Sequence, residues 1–405
     1  MSDDIDALVE RVRDGDLRLY ELGDETDAET AAAVRRRVVE ADTGADLGTV
    51  GADELPAERA SESNIENMVG AAQIPMGVAG PVPVAGGAVD GEHYLPMATT
   101  EGALVASVNR GCSVLARAGG VTARVTKVGM TRAPVFRVDD VAEAEALVSW
   151  VRDNEGRLRE AAEATTSHGE LLGVTPYVVG DAVFLRFRYD TADAMGMNMA
   201  TIATRAAADE VTEATDAALV ALSGNLCSDK KPAAVNAVEG RGRSVTADAT
   251  VPRGVVEEAL HTTPEAVAAV NTRKNLVGSA KAGSLGFNAH VANTVAAMFL
   301  ATGQDAAQVV EGSNAITTAE MKDGDLYVSV SLASLEVGTV GGGTALPTQA
   351  AGLDVLGVRG GGDPAGSNAD ALAELVAAGA LAGELSLLSA LASENLSSAH
   401  EDLGR

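Results

Sequence analysis

The stretch Ser223-Gly224-Asn225-Leu226-Cys227-Ser228-Asp229-Lys230-Lys231-Pro232-Ala233-Ala234-Val235-Asn236 organises the reading of this 405-residue chain. Two adjacent lysines stand here in a sequence that otherwise favours arginine and acid. Gly224 frees the backbone, Pro232 fixes φ and lacks a donor, and the residue before a proline is pushed out of the helical region. A rigid loop is expected, with Asp229 held between Ser228 and Lys230. A polar Lys-Lys loop taken alone is usually a solvated turn. A loop fixed by its own chemistry is also where function often sits.

Composition narrows the classes. The chain is 46% hydrophobic but only 3% aromatic, so its core must be built from Ala, Val and Leu. It is long enough for two domains. No run reaches the eighteen or so apolar residues of a membrane helix; Val291 to Leu300 comes nearest, interrupted by Asn293 and Thr294. The N-terminus is acidic and lacks the basic region of a signal peptide. A cytoplasmic protein with no membrane partner is expected. Two cysteines, Cys112 and Cys227, do not suit a disulfide scaffold or a zinc site, and no metal is expected. With 58 acidic against 30 basic residues the net charge is −28, which repels nucleic acid. Such self-repulsion is screened in about 1 M salt, where the Debye length is about 3 Å.

Along the chain, residues 1–45 read as a charged helical segment with a packing or oligomer role. Residues 61–91 carry glycines and prolines at loop and short-strand spacing. Thr99 or Thr100 is expected to cap a helix reaching Arg117, with Glu101 in its first turn. Strands are expected at 121–128, 134–138, 171–179 and 182–189, with helices at 141–164 and 200–222. That pattern suits a small α+β domain inserted into a larger one. It holds no Gly-x-Gly-x-x-Gly after a strand, so a Rossmann fold is not indicated. Asp305 follows the apolar helix 291–301, where the negative dipole end disfavours an acid; Lys230 is the expected compensating charge. His290 reads as structural, and 371–396 as an Ala-Leu-rich helix.

Six blocks in order resemble the 3-hydroxy-3-methylglutaryl-coenzyme A (HMG-CoA) reductase family, in its soluble archaeal-type form. They are the loop from Leu222 to Val245 with Glu239-Gly-Arg-Gly-Arg-Ser244, Glu66-Asn-Met-Val-Gly70, Thr99-Thr-Glu-Gly102, Asp193-Ala-Met-Gly-Met-Asn198, Gly303-Gln-Asp-Ala306 and Gly338-Thr-Val-Gly-Gly-Gly-Thr344. The resemblance spans about residue 50 to His400. It implies an α+β fold: a large, mostly helical substrate domain (46–131 and 223–405) with an inserted ferredoxin-like NADP-binding domain (132–222). It also implies a homodimer or dimer of dimers, with Glu66-Asn67 in the dimer motif and each active site shared between subunits.

The same resemblance implies site residues. Glu101, Lys230, Asp305 and His400 match the catalytic positions. Arg132, Ser223, Asp229, Lys231, Lys274 and Asn293 match positions that bind the hydroxymethylglutaryl group, and Asn109 and Arg110 match coenzyme A contacts. Ser167, His168, Asp193, Met195, Gly196, Met197, Asn198, Gly341 and Gly342 match the NADPH site. Hydroxyls rather than an acid at 166–168 suit a 2′-phosphate, hence NADPH.

The implied chemistry suits these residue types. Negative charge grows on a thioester carbonyl oxygen, so a fixed cation belongs beside it, and Lys230 fits. Glu101 would deliver a proton. Coenzyme A leaves as a thiolate, and its thiol pKa of about 8.5 is served by an imidazolium of about 6.5, His400. Two further readings are a relative that oxidises mevalonate with NAD and a catalytically silent acyl-CoA-binding protein of the same fold.

Overall fold

The computed structural model describes residues 2–17, 21–43, 55 and 57–393. Ten strands form one continuous hydrogen-bonded system: β1 Met76–Ala85, β2 Asp90–Ala98, β3 Val121–Arg132, β4 Val135–Arg137, β5 Glu170–Val179, β6 Ala182–Asp190, β7 Ala218–Ala221, β8 Gly242–Val251, β9 Ala315–Lys322 and β10 Asp325–Leu335. The path runs β7-β4-β6-β3-β8-β10-β9, with β5 on β6 and the β1–β2 hairpin on β3. All pairings are antiparallel except β1 with β3.

Two hydrophobic cores lie on this system. In β8 the residues Val245, Ala247, Ala249 and Val251 are buried, alternating with Ser244, Thr246, Asp248 and Thr250. Period-two alternation puts the first set on one face. That face, with those of β3 and β10, packs on the helix Ser367–Ala392. Helices Leu104–Arg117 and Val291–Thr302 pack on the same long helix. The second core gathers Phe136, Leu147, Leu158, Leu185, Phe187 and Tyr189 with the helix Met197–Ala214.

β3 joins the two cores. Its residues 122–129 pair with β8, and Met130–Arg132 pair with β6. The change of partner falls at Gly129, where a Cβ would meet Arg188 Cγ at 2.2 Å.

Several expectations need correction. The larger part is a mixed helix and sheet assembly rather than mostly helical. The expected helix 141–164 is two helices, Val141–Asp153 and Glu155–Glu163, broken at Asn154, whose amide donates to Trp150 O at 2.8 Å. The expected helix 200–222 is Met197–Ala214, after which Ala218–Ala221 pairs with β4 as β7; edge pairing overrode the helix propensity of Ala and Leu. Among the described residues the long apolar helix is Ser367–Ala392, not 291–300. It is long and apolar enough to cross a membrane by length and composition, yet 83% of its apolar window is buried inside the protein.

The described residues of the N-terminal segment form the helices Ser2–Arg13, Leu22–Glu25 and Ala28–Thr43. Its helix Ala28–Thr43 packs on the Glu66-Asn67 loop: Arg35 and Arg36 donate to the carbonyls of Met68 and Val69 at 3.4 and 2.7 Å. Ala32, Ala57, Ala60 and Met68 close that contact.

Candidate active site

Residues 222–233 form the expected loop, followed by the short helix Ala234–Glu239. Three non-glycine residues of the loop are left-handed: Asn225 (φ 63°), Ser228 (φ 48°) and Lys230 (φ 57°). Each such residue costs about 1–3 kcal/mol, so surrounding contacts must impose the shape. Those contacts are present. Gly224 N donates to Ala133 O at 2.7 Å. Asn236 Nδ2 donates to Ser228 O at 2.9 Å, and Arg186 donates to Leu226 O at 3.2 Å and Gly240 O at 2.8 Å.

The two lysines are distinguished by this geometry. Lys230 Nζ lies 2.7 Å from Asp305 Oδ2. That hydrogen bond, reinforced by the charges of Asp305, Asp229 and Glu311, holds the ammonium above the ordinary lysine pKa. Lys231 Nζ turns back onto Asp229 O at 3.0 Å. Asp305 itself is better placed than the helix-dipole argument allowed. The preceding helix ends at Thr302, and Asp305 caps the next 3₁₀ turn, accepting from Ala307 N at 3.1 Å.

A buried charge cluster lies against the loop. Arg241, 1% exposed, reaches Asp229 Oδ1 (3.0 Å), Glu311 Oε1 (3.3 Å) and Glu336 Oε1 (3.1 Å). Glu311 and Glu336 are fully buried. Burial pushes both carboxyls upward, Glu336 well above its ordinary value, with Arg241 opposing. Neither Glu311 nor Glu336 was singled out from the sequence, although Arg241 lies in the quoted Glu239-to-Ser244 block.

Glu101 occupies a second place. The helix starts at Leu104, not after Thr99 or Thr100, because Ala103 is left-handed (φ 66°). Thr99 Oγ1 instead accepts from Glu101 N at 3.0 Å in the preceding turn. Glu101 is exposed and accepts from Asn293 Nδ2 at 3.1 Å. Both line a cleft of about 210 Å³ with Ile74, Thr99 and Leu300. Among the described residues no hydrogen bond or ion pair joins Glu101 to Lys230 or Asp305.

The two glycine-containing segments expected to hold the cofactor are brought together. Thr339 N donates to Asp193 O at 2.8 Å, Ala194 bridges Val340, and a Cβ on Gly338 would stand 2.4 Å from Met195 N. Gly196 (φ 88°) precedes the 18-residue helix from Met197, whose N-terminus has no side-chain cap and no acid in its first turn. Uncapped N–H groups at such a terminus suit a phosphate. Gly341 (φ 76°) and Gly342 (φ 52°) have positive φ and open the 3₁₀ turn Gly342–Ala345.

Asp193 departs from its expected role as a cofactor ligand. Its carboxylate, 5% exposed, accepts from Gly362 N (2.9 Å), Gly366 N (2.8 Å) and Ala369 N (3.1 Å). Burial disfavours its charge, but these three N–H groups outweigh that and lower its pKa. The side chain fastens the start of the long core helix.

The other expected residues are spread around these groups. Arg132 ends β3, with its Nε buried and unpartnered, and Ser223 Oγ lies 3.4 Å from Cys227 Sγ. Lys274 is exposed in the π-helical turn Asn271–Gly278. Asn109 accepts from Gly80 N at 3.0 Å, and Arg110 donates to Ser386 O and Oγ at 2.9 and 2.8 Å. Ser167 and His168 are exposed in the turn before β5, where Thr166 Oγ1 accepts from His168 N at 3.2 Å. Both cysteines are buried and free. His400 lies outside the described residues.

The fold is of the mixed helix and sheet type seen in solved HMG-CoA reductases. A solved class II 3-hydroxy-3-methylglutaryl-CoA reductase from Streptococcus pneumoniae, described as bound to NADPH, matches with TM-score 0.68 at 20% identity over 93% of this chain and 100% of that one. The family profile "Hydroxymethylglutaryl-coenzyme A reductase" matches residues 31–405. The 3-hydroxy-3-methylglutaryl-coenzyme A reductase of Haloferax volcanii is 76% identical over 99% of this chain and 100% of its own length. That of Halobacterium salinarum is 70% identical over the whole of both. The chain therefore belongs to the hydroxymethylglutaryl-coenzyme A reductase family.

Proposed function

We propose that this chain catalyses the NADPH-dependent four-electron reduction of (S)-HMG-CoA to (R)-mevalonate and free coenzyme A, the committed step of the mevalonate pathway, in the cytoplasm. The observation that carries the reading is the Lys230–Asp305 pair, 2.7 Å apart, on a loop forced into shape by its surroundings.

In this reading the Lys230 ammonium faces the thioester carbonyl oxygen and stabilises the negative charge that grows there. Its raised pKa keeps it charged throughout the working range. Asp305 holds it in place. Glu101 supplies the proton that the carbonyl oxygen gains, and Asn293 fixes its carboxyl. His400 protonates the departing coenzyme A thiolate; this role rests on family resemblance. Arg132, Ser223, Asp229, Lys231 and Lys274 bind the hydroxymethylglutaryl group, and Asn109 and Arg110 the coenzyme A.

NADPH fits the uncapped helix start at Met197 with Gly196, Met195, Asn198, Gly341 and Gly342 about it, and Ser167 and His168 toward its ribose. When bound, it supplies the hydride for each of two reductions, through mevaldehyde. The second hydrophobic core, with β4 to β7, is assigned as the inserted ferredoxin-like NADP-binding domain, residues 132–222.

Among the described residues no bond joins Glu101–Asn293 to Lys230–Asp305, which suits a site completed by a second copy in a homodimer. Ile65, Ile74, Met76, Val78 and Tyr94, exposed around the Glu66-Asn67 loop and the β1–β2 hairpin, suit a covered face.

The test is NADPH absorbance loss with HMG-CoA in molar KCl, with NADH as control. Two NADPH consumed per coenzyme A released is expected. Turnover only with NAD and mevalonate would establish the degradative direction instead, and binding of coenzyme A without turnover in any direction would establish a silent binding protein.

A further inference from the structure

Asp305, Gln308 and Glu311 recur at every third residue along one short segment, the 3₁₀ turn Ala306–Gln308 and the helical turn Val309–Gly312. Residues three apart on tight turns share a face. All three side chains of that face meet the catalytic loop. Asp305 Oδ2 takes the ε-ammonium of Lys230 at 2.7 Å. Gln308 Nε2 lies 3.4 Å from Asp229 Oδ1. Glu311 Oε1 accepts the backbone N–H of Lys230 itself.

We infer that Glu311 is a positioning residue for the reductive step, gripping Lys230 by its main chain while Asp305 grips it by its side chain. The inference rests on the proposed role of Lys230. Lys230 is left-handed, a backbone state a lysine does not hold unaided. In that state its N–H is held by a side-chain acceptor from the facing segment. Glu311, at 0% exposure, supplies the acceptor.

Arg241 in turn holds Glu311 at 3.3 Å, and also reaches Asp229, Glu336 and Met197 Sδ at 2.7 Å. The guanidinium thus connects the loop, the clamp segment, the strand leading to Gly338 and the start of the cofactor-side helix. The second oxygens of Glu311 and Glu336 have no partner and are buried. Burial of carboxyls around one guanidinium is costly, so this arrangement is not explained by stability alone. Its direct product is the fixed geometry of Lys230. A displacement of about 1 Å in a catalytic group can cost about 10²-fold in rate.

The test compares Glu311→Leu, Glu311→Asp and Glu311→Gln with the unaltered protein in molar KCl. Leu removes the acceptor, Asp withdraws it by one methylene, and Gln keeps an acceptor oxygen without the charge. With HMG-CoA and NADPH, Glu311→Leu is expected to lose about 10²-fold in kcat, with KM for both substrates within about threefold. Glu311→Gln is expected to keep at least about ten times the kcat of Glu311→Leu. Should Glu311→Leu fail to fold, Glu311→Asp is read in its place against Glu311→Gln, with far-ultraviolet circular dichroism and NADPH affinity confirming an intact protein. Unchanged kcat in Leu or Asp, a loss confined to KM, or equal losses in Gln and in the variant without a placed acceptor would each overturn the assignment. Failure of the functional reading is told apart because the unaltered protein would then show no HMG-CoA reduction at all.

Discussion

Gly111 on the helix Leu104–Arg117 lies directly against Ala382 on the helix Ser367–Ala392: a Cβ at Gly111 would stand 2.0 Å from Ala382 O and 2.8 Å from its Cα. The contact is backbone to backbone, so no rotamer change relieves it. The same two helices carry Ser107, Arg110 and Ser386, joined by hydrogen bonds of 2.8–3.0 Å.

Gly111→Ala is therefore expected to destabilise the protein by at least about 1–3 kcal/mol, the cost of overpacking a close-packed core. Denaturant midpoints in molar KCl measure it. A midpoint equal to that of the unaltered protein would show that the helices separate freely.

Lys230→Ala removes the proposed charge partner of the carbonyl oxygen while leaving the loop's main chain in place. Loss of one such stabilising group typically costs about 10²–10³ in kcat. Calorimetric binding of coenzyme A is expected to persist, because the residues assigned to it, Asn109 and Arg110, lie on another helix. Lys231→Ala, whose ammonium turns back on Asp229 O, is expected to lose much less in kcat.

Asp193→Asn keeps the size of the side chain but replaces one of two acceptor oxygens with a donor facing backbone N–H groups. A loss of about 1–3 kcal/mol is expected for the unsatisfied buried group. The sign of its pH dependence follows from its lowered pKa. Its contribution is present above the ordinary aspartate value and is lost as pH falls through the folded-state value. Acid unfolding curves of the Asn variant should accordingly be flatter below about pH 4, where the unaltered carboxylate is being protonated. Parallel acid limbs would argue against this.

The net charge of −28 predicts that stability rises with KCl. The Debye length shortens from about 10 Å at 0.1 M to about 3 Å at 1 M, so repulsion among surface carboxylates fades. The thermal midpoint is expected to climb steeply over that range and more with KCl than with an equimolar neutral osmolyte. A midpoint insensitive to salt would mean that the surface charges are compensated locally.

Much of the chain was legible in its residues. Gly224 and Pro232 gave the loop, and the strand pattern gave β3, β4, β5 and β6. The motif Gly303-Gln-Asp-Ala306 placed Asp305 after an apolar helix, and the expected Lys230 partner stands there at 2.7 Å. Misreadings fell where local signals conflict with distant contacts. Ala218, Leu219 and Ala221 continue an Ala-rich helical pattern, yet pair with β4 because the strand edge was available. Thr99 has the chemistry of a helix cap but serves a turn, since Ala103 is left-handed.

The sequence by itself determined the family, the loop that carries Lys230 and the acidic balance of charge, because each is written in the residues themselves. Only the tertiary structure decided that Asp193 fastens the core helix and that Arg241 gathers Asp229, Glu311 and Glu336. These are meetings of charges from segments far apart in the chain. Glu311 and Glu336 are ordinary polar letters in sequence, and burial around one guanidinium is a property of the packed interior alone. Folding brings such groups together through the apolar faces that flank them, and no local pattern records the result.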